Sequence, residues 1–285
     1  MDELAGKIAV ITGSTRGLGL AMARDFARAG AAVVVSGSSP ESTQRAVSAL
    51  SAEGITVYGH TCDVRDEAAI QRLADYAVAT FGRFDVWVNN AGVAGPWGAT
   101  AHIPTERFLA VVRTNILGTY YGSVVALRYF LPRHSGKLIN VLGRGARQPV
   151  PFQNPYASSK AWIHNFTLAM AKEYKESGVG IYALSPGMMT TDFLCHVSAV
   201  AGFEGQLRSL ETVIRLLAFP PAVTSRKAVW LASAATDGRT GLVVKTTSTG
   251  MMLGSALREG VRRLLGRPAP PLDVTVDAVP PACDA

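Results

Sequence analysis

Tyr156 and Lys160 are the pair whose side chains could do chemistry together. They sit in Gln153-Asn154-Pro155-Tyr156-Ala157-Ser158-Ser159-Lys160. On a helix, residues four apart share a face. An ammonium held near a phenol favours the phenolate and lowers the Tyr pKa. A Tyr tuned in this way can donate or accept a proton at a carbonyl or alcohol oxygen. Tyr-x-x-x-Lys alone is a common pattern on helix surfaces, so its weight depends on the elements that lead up to it.

Those elements begin with Lys7 to Thr12, a short, continuously apolar run of the kind a buried parallel strand shows. Gly13-Ser14-Thr15-Arg16-Gly17-Leu18-Gly19 follows, then a helical pattern through Ala29 stopped by Gly30, then a second β-branched run from Ala31 to Ser36. Strand, Gly-rich turn, helix and strand in that order open a dinucleotide-binding βαβ unit. The glycines let backbone approach a pyrophosphate. The helix N-terminus offers it unpaired N–H groups and a positive dipole end. The spacing is Thr-Gly-x-x-x-Gly-x-Gly rather than Gly-x-Gly-x-x-Gly.

The alternation continues. Helix is expected over Glu41 to Ala52, Asp66 to Phe81, Thr105 to Leu131 (between Pro104 and Pro132), Pro155 to Glu176 and Ala222 to Ala235. Strand is expected over Ile55 to Gly59, Phe84 to Asn89, Lys137 to Leu142, Val179 to Leu184 and Gly241 to Lys245. Seven β-runs separated by helices imply an α/β fold: a single doubly wound parallel sheet, the Rossmann fold, with helices on both faces. This domain spans residues 1–250 and carries one interruption at about 188–221. Residues 251–266 look like a basic amphipathic helix suited to packing, a dimer contact or the surface of a membrane. Residues 267–285 are Pro-rich and are expected to be flexible or draped over the surface.

The composition fits this picture. The chain has 285 residues, 48% hydrophobic and 17% charged, as a well-packed globule has. Cys62, Cys195 and Cys283 are scattered without metal or redox spacing, which fits a reducing, cytoplasmic setting better than a disulfide scaffold and suggests no metal site. The acidic start runs directly into a strand, so no signal peptide is expected, and no apolar run reaches membrane-spanning length. The net charge of +7, raised by Arg258, Arg262, Arg263 and Arg267, favours anionic ligands. Nothing in the pattern calls for nucleic acid as a partner.

From about Leu4 to Lys245 the chain resembles the classical short-chain dehydrogenase/reductase family. The resemblance rests on Thr12-Gly13-Ser14-Thr15-Arg16-Gly17-Leu18-Gly19, Cys62-Asp63-Val64, Asn89-Asn90-Ala91-Gly92, Asn115, Tyr156 with Lys160, and Ser185-Pro186-Gly187, in that order. It implies that Gly13, Gly17 and Gly19 face a pyrophosphate, in a cofactor-binding turn that also includes Thr15, Arg16 and Leu18. Asp63 and Val64 would flank the adenine, and Asn90, Ala91 and Gly92 would pass under its ribose. Lys160 would hold the nicotinamide ribose, and Pro186, Gly187, Met189 and Thr191 would frame the carboxamide. Tyr156, Lys160 and Asn115 would be catalytic, with Asn115 holding a water that links Lys160 to solvent. Family members commonly pair through two long helices, so a homodimer or homotetramer is expected.

Cofactor selectivity is decided just past the second strand, where an Asp would repel a 2′-phosphate. Here the stretch is Val35-Ser36-Gly37-Ser38-Ser39-Pro40, with no carboxylate before Glu41. Ser38 can bond a phosphate, and Arg16 can grip one with a planar fork of donors. NADP(H) is therefore expected.

One position departs from the family. A Ser is normal thirteen residues before the Tyr, and here that position is Gly143. Losing such a donor costs about 10²–10³ in rate. Arg144, Gln153 or a backbone N–H could substitute, the substrate could bring its own group, or the site could have left carbonyl reduction for isomerase, dehydratase or cyclase chemistry. A weaker resemblance, to chlorophyll b reductases, lies in the Gly-rich turn after the fifth strand and in Ser36–Ser42, Asp85–Gly92 and Val179–Met188. It implies a large, flat, apolar substrate reached without the Ser. Met188 and Phe193, with Trp97, Phe152, Met189, Leu194 and Phe203, would ring the substrate side. The expectation is an NADPH-dependent reductase of a bulky, largely apolar aldehyde or ketone, with Tyr156 as proton donor.

Overall fold

The computed structural model describes residues 2–247, 250, 254, 262, 264–265 and 272–282. Its centre is a seven-stranded sheet built from β1 (Ile8–Ile11), β2 (Ala32–Gly37), β3 (Tyr58–Thr61), β4 (Val86–Asn89), β5 (Lys137–Val141), β6 (Gly180–Ser185) and β8 (Val243–Lys245). The spatial order is β3-β2-β1-β4-β5-β6-β8, and every pairing is parallel. The doubly wound sheet read from the sequence is therefore present.

Alternation along the strands divides the core. Ala9 and Ile11 pack with α1 (Gly17–Arg28) and α9 (Pro221–Ala232), whereas Ile8 and Val10 pack with α3 (Glu67–Phe81), α5 (Gly118–Phe130) and α6 (Asn154–Glu173). Both faces of the central strands are covered, which is why these segments read as unbroken apolar runs. The chain starts in β1, winds out to β3 and returns to β4 on the other side. Strand order thus reverses between β1 and β4, and the carboxyl ends of those strands open a crevice of the kind that binds ligands in such sheets.

Buried polar groups lock the returning strand. Asn89 Nδ2 donates to Asn140 Oδ1 (2.9 Å) and to Ser123 Oγ (3.0 Å), and Asn89 Oδ1 accepts from Trp87 Nε1 (2.8 Å). At the other end of the sheet, buried Lys137 donates to the carbonyl of Ser233 and to Thr236 Oγ1 and pairs with Asp237 at 2.8 Å.

Three expectations are corrected, and the interruption is given its structure. The third strand starts at Tyr58 rather than Ile55, because Ile55 and Val57 are spent on the core before pairing with β2 begins at Val34. The helix expected over Thr105–Leu131 is three pieces: α4 (Thr105–Val111), a π-turn over Val112–Leu117 and α5. The interruption at 188–221 is structured, with a short α7 (Asp192–Cys195), β7 (His196–Val200) and α8 (Leu210–Leu217). Finally, the tail is not loose throughout: β9 (Thr275–Val279) pairs with β7 in parallel, because its β-branched residues find an open strand edge there. The helix expected over 251–266, and any membrane contact through it, lies outside the described residues save Gly254, Arg262, Leu264 and Leu265. Among the described residues no helix is long and apolar enough to cross a membrane.

Candidate active site

The Gly-rich turn leaves β1 and enters α1 with Gly13 and Gly17 at φ of +61° and +54°, the left-handed region in which glycine alone is unstrained. Crowding adds a second constraint. A Cβ on Gly13 would stand 2.7 Å from Ala91 Cα, and one on Gly19 would overlap the carbonyl oxygen of Gly13 and lie 2.6 Å from Asn90 Nδ2. The turn is thus pressed against the loop that follows β4. Thr12 Oγ1 donates to the carbonyl of Val88 (3.2 Å) and accepts from the backbone N–H groups of Asn90 (3.0 Å) and Ala91 (3.2 Å). Asn90 Nδ2 donates back to the carbonyls of Thr12 and Gly13 (3.0 and 2.8 Å). Asn90 and Ala91 therefore build the floor of the turn. Leu18 is buried beneath it.

At the mouth, Arg16 occupies the N-cap of α1 in extended backbone and is exposed. Thr15 stands beside the end of β2: a Cβ on Gly37 would lie 2.5 Å from Thr15 Cγ2. Ser38 is exposed next to it, and Ser39 caps the following helix, α2 (Pro40–Ala52), by accepting from Ser42 N. Hydroxyls of Thr15 and Ser42 crowd the end of β2 here, beside the N-terminus of α2. Asp63 is not free: its carboxylate accepts from the Arg65 guanidinium, at 2.6 Å in the shortest contact, and from Arg65 N, and these bonds hold it below its ordinary pKa. Val64 is buried against Gly118, whose Cβ would stand 2.8 Å from Val64 Cγ2.

Asn115 lies fully buried in the π-turn. Such turns inside helices often mark functional sites. Its side chain is spent as a clamp: Oδ1 accepts from Val93 N (2.9 Å), and Nδ2 donates to the carbonyl of Val93 and to Ser159 Oγ (both 3.0 Å). Any water relay would have to use its backbone rather than this amide. Gly92 is the near neighbour, since a Cβ there would lie 3.3 Å from Asn115 Oδ1 and 3.7 Å from Lys160 Nζ.

Tyr156 and Lys160 sit on the first turns of α6, both buried, as their spacing predicts. Lys160 Nζ donates to the carbonyl of Val141 at the end of β5 (3.0 Å) and lies 5.6 Å from the Tyr156 ring centroid. The expected lowering of the Tyr156 pKa is reversed. Burial pushes the phenol up, and burial lowers Lys160 to about 8. The ammonium is turned to a carbonyl rather than to the phenol oxygen, so desolvation outweighs attraction.

Gly143 has a steric role of its own. A Cβ there would overlap Tyr156 Oη and stand 2.9 Å from Tyr156 Cζ and 3.2 Å from Lys160 Cγ. The phenol fills the space that a Ser at this position would need.

On the substrate side, Phe193 packs at an angle on Tyr156 (centroids 5.8 Å apart) and is 42% exposed, so it can meet a ligand. Thr191 lies over the glycine turn: a Cβ on Gly17 would be 3.6 Å from its methyl. The Pro186 carbonyl is held by Thr224 Oγ1 (2.9 Å), and Gly187, at φ +73°, faces Thr247 and Phe219. Phe219 N donates to the carbonyl of Met188 and its carbonyl accepts from Thr190 N (both 3.2 Å), which sets Met189 opposite Phe219 in a single bridge. Arg144 sits 5.7 Å above the Trp97 ring, and buried Gln153 has an Oε1 without a hydrogen-bond partner. The sequence reading missed Val93, Ser159 and the Val141 carbonyl. Two of these three act through backbone atoms, which leave no residue-type signal.

The chain belongs to the short-chain dehydrogenase family, whose model matches residues 7–200. It is 33% identical to the 3beta-hydroxysteroid dehydrogenase 1 of Eggerthella lenta over 236 residues, which is 81% of this chain and 88% of the relative. It is 31% identical to a protein of Oryza sativa subsp. japonica named "Probable chlorophyll(ide) b reductase", covering 67% of this chain and 42% of that one. Among solved structures, a variant of the actinorhodin polyketide ketoreductase with NADPH superposes with a TM-score of 0.77 at 26% identity, over 88% of this chain and 98% of the other. The protein is thus an oxidoreductase acting on CH–OH or C=O groups.

Gly143→Ser should not restore an ordinary site but displace the phenol, at a cost of about 1–3 kcal/mol in stability. Urea unfolding of the variant measures it, and unchanged stability would contradict the crowding.

Proposed function

We propose that the chain is an NADPH-dependent reductase of bulky, largely apolar aldehydes or ketones. The observation that carries the reading is the convergence of Tyr156, Lys160 and the asparagine clamp beside the glycine turn at the strand-order reversal. The crowded, Cβ-free turn and the α1 N-terminus fit a pyrophosphate. The corner of Thr15, Arg16 and Ser38, with no carboxylate before Glu41, fits a 2′-phosphate. The solved ketoreductase that superposes on this chain has NADPH.

When bound, NADPH supplies the hydride for the carbonyl carbon. Tyr156 does the acid work. A phenol that burial keeps protonated is the form needed to give a proton to the oxygen as it gains negative charge. Lys160, charged below about pH 8, holds ribose hydroxyls and offsets charge near the phenol. Ser159 and Asn115 position both by fixing the start of α6. With Gly143 in place of Ser, a donor to the substrate oxygen must come from elsewhere, and Tyr156 Oη itself fills that space. Phe193, Trp97, Phe152 and Phe203 offer apolar surface to a large substrate, in keeping with a chlorophyll(ide) reductase and a polyketide ketoreductase among the similar proteins. The exposed Phe108 on α4 and Tyr120 on α5 mark the face through which two copies would pair.

Two results test this reading. Tyr156→Phe should lower turnover of a bulky ketone by about 10²–10⁴-fold while leaving NADPH binding intact. Retained turnover, or product formed with no net NADPH consumption, would reject the mechanism in favour of non-redox acid–base chemistry. Arg16→Ala should weaken NADPH by about 10–100-fold, the worth of a hydrogen bond to a charged group, and leave NADH nearly unchanged. Equal losses would reject the phosphate assignment.

A further inference from the structure

The substrate side of the site draws on three separate segments, around Trp97, Phe152 and Phe193–Phe203, and the C-terminal strand is bonded to the last of them. β9 pairs with β7 through five residues, from His196↔Thr275 to Val200↔Val279, and Ala201 N extends the ladder by donating to the carbonyl of Val279 (2.9 Å). The opposite edge of β7 is taken by Trp97, whose N–H donates to the carbonyl of Ser198 (2.8 Å) and whose carbonyl accepts from Val200 N (2.7 Å). The next residue, Gly98, donates to the carbonyl of Phe152, in the segment that leads into α6 (2.8 Å). Close packing reinforces this seam, since a Cβ on Gly98 would stand 2.7 Å from Val200 Cγ2. Past the strand, Ala282 N donates to the carbonyl of His102 (3.0 Å), and the His102 ring lies 5.4 Å from that of Phe203.

This small sheet stands directly over the chemistry. The short turn α7 runs straight into β7 and carries Phe193 onto Tyr156. Trp97 lies under Arg144, and Phe152 packs against Phe203. A two-stranded ladder gains stability only from further packing. Here that packing comes from Val197, Ala199, Leu207, Leu210 and Trp97. Without β9, one edge of β7 would be left unpaired, and the turn that places Phe193 would be anchored on one side only.

We propose that the C-terminal strand is a specificity element of the active site. By fixing β7, it sets Phe193 and Trp97 as a rigid wall, and so selects broad apolar carbonyl compounds over small ones. The inference rests on the reductase reading for what the wall receives, but its test does not need turnover.

The test uses full-length protein saturated with NADP⁺ and titrated with β-tetralone in a calorimeter. Asp277→Pro places a residue without an N–H in the middle of the ladder, and Val279→Asp puts a charge where the strand end is buried. Each should weaken β-tetralone roughly tenfold, the cost of re-ordering one or two aromatic side chains on binding. The smaller cyclopentanone should change much less, and NADPH affinity should stay within about twofold, as for a distant independent site. Unaltered β-tetralone affinity in both variants would overturn the proposal, as would an equal loss of NADPH binding. Weakened β-tetralone in chains that never consume NADPH would support the strand's role and count against the reductase reading alone.

Discussion

The hydrogen-bonded joint between β1 and β4 is the constraint on which the rest of the site depends. Thr12 and Asn90 tie the glycine turn to the loop after β4 from both directions. From that loop the Val93 backbone grips Asn115, Asn115 reaches Ser159, and Ser159 Oγ donates to the carbonyl of Tyr156 (2.7 Å). Lys160 closes the circuit on Val141 in β5. The glycine turn and the Tyr156–Lys160 pair are thus held in one frame by polar side chains. A partly broken network of this kind is costly, because each orphaned member loses water without gaining a partner.

Within that frame, burial governs the chemistry more than charge pairing does. The phenol and the amine are both enclosed, and enclosure favours the neutral form of each. For Tyr156 this preserves the proton that the proposed reduction requires. For Lys160 it leaves a group whose charge is lost as pH rises through about 8. Gly143 belongs to the same logic. It is the residue that lets the phenol come so close to the end of β5.

Much of this was legible in the sequence. Parallel strands buried on both faces leave unbroken apolar runs, and a glycine turn at a strand-to-helix junction has few other uses, so the sheet, the turn and the Tyr–Lys face could be read directly. Asn115 could be placed, but not as a clamp, because its partners include the Val93 backbone and an ordinary Ser. The direction of the Tyr156 shift was misjudged because depth of burial is a property of the packed chain rather than of a spacing. The C-terminal strand was hidden by the prolines around it: Thr275–Val279 has the β-branched character of a strand, but its partner, β7, lies in the irregular insertion. Boundaries slipped where tertiary pairing overrode local pattern, as at β3, and where the π-turn divides the long helix.

The most direct test of the central claim, that an enclosed Lys160 and Tyr156 form the acid end of a nicotinamide-dependent site, is the pH dependence of NADPH affinity in the unaltered chain and in Lys160→Met. Lys160 is a cation below about pH 8 and neutral above it, and only the cation attracts an anionic dinucleotide. The account predicts tight NADPH binding at neutral pH that weakens as pH rises through about 8, with the pH dependence abolished in Lys160→Met. An affinity indifferent to pH across that range, or the same profile in Lys160→Met, would contradict it.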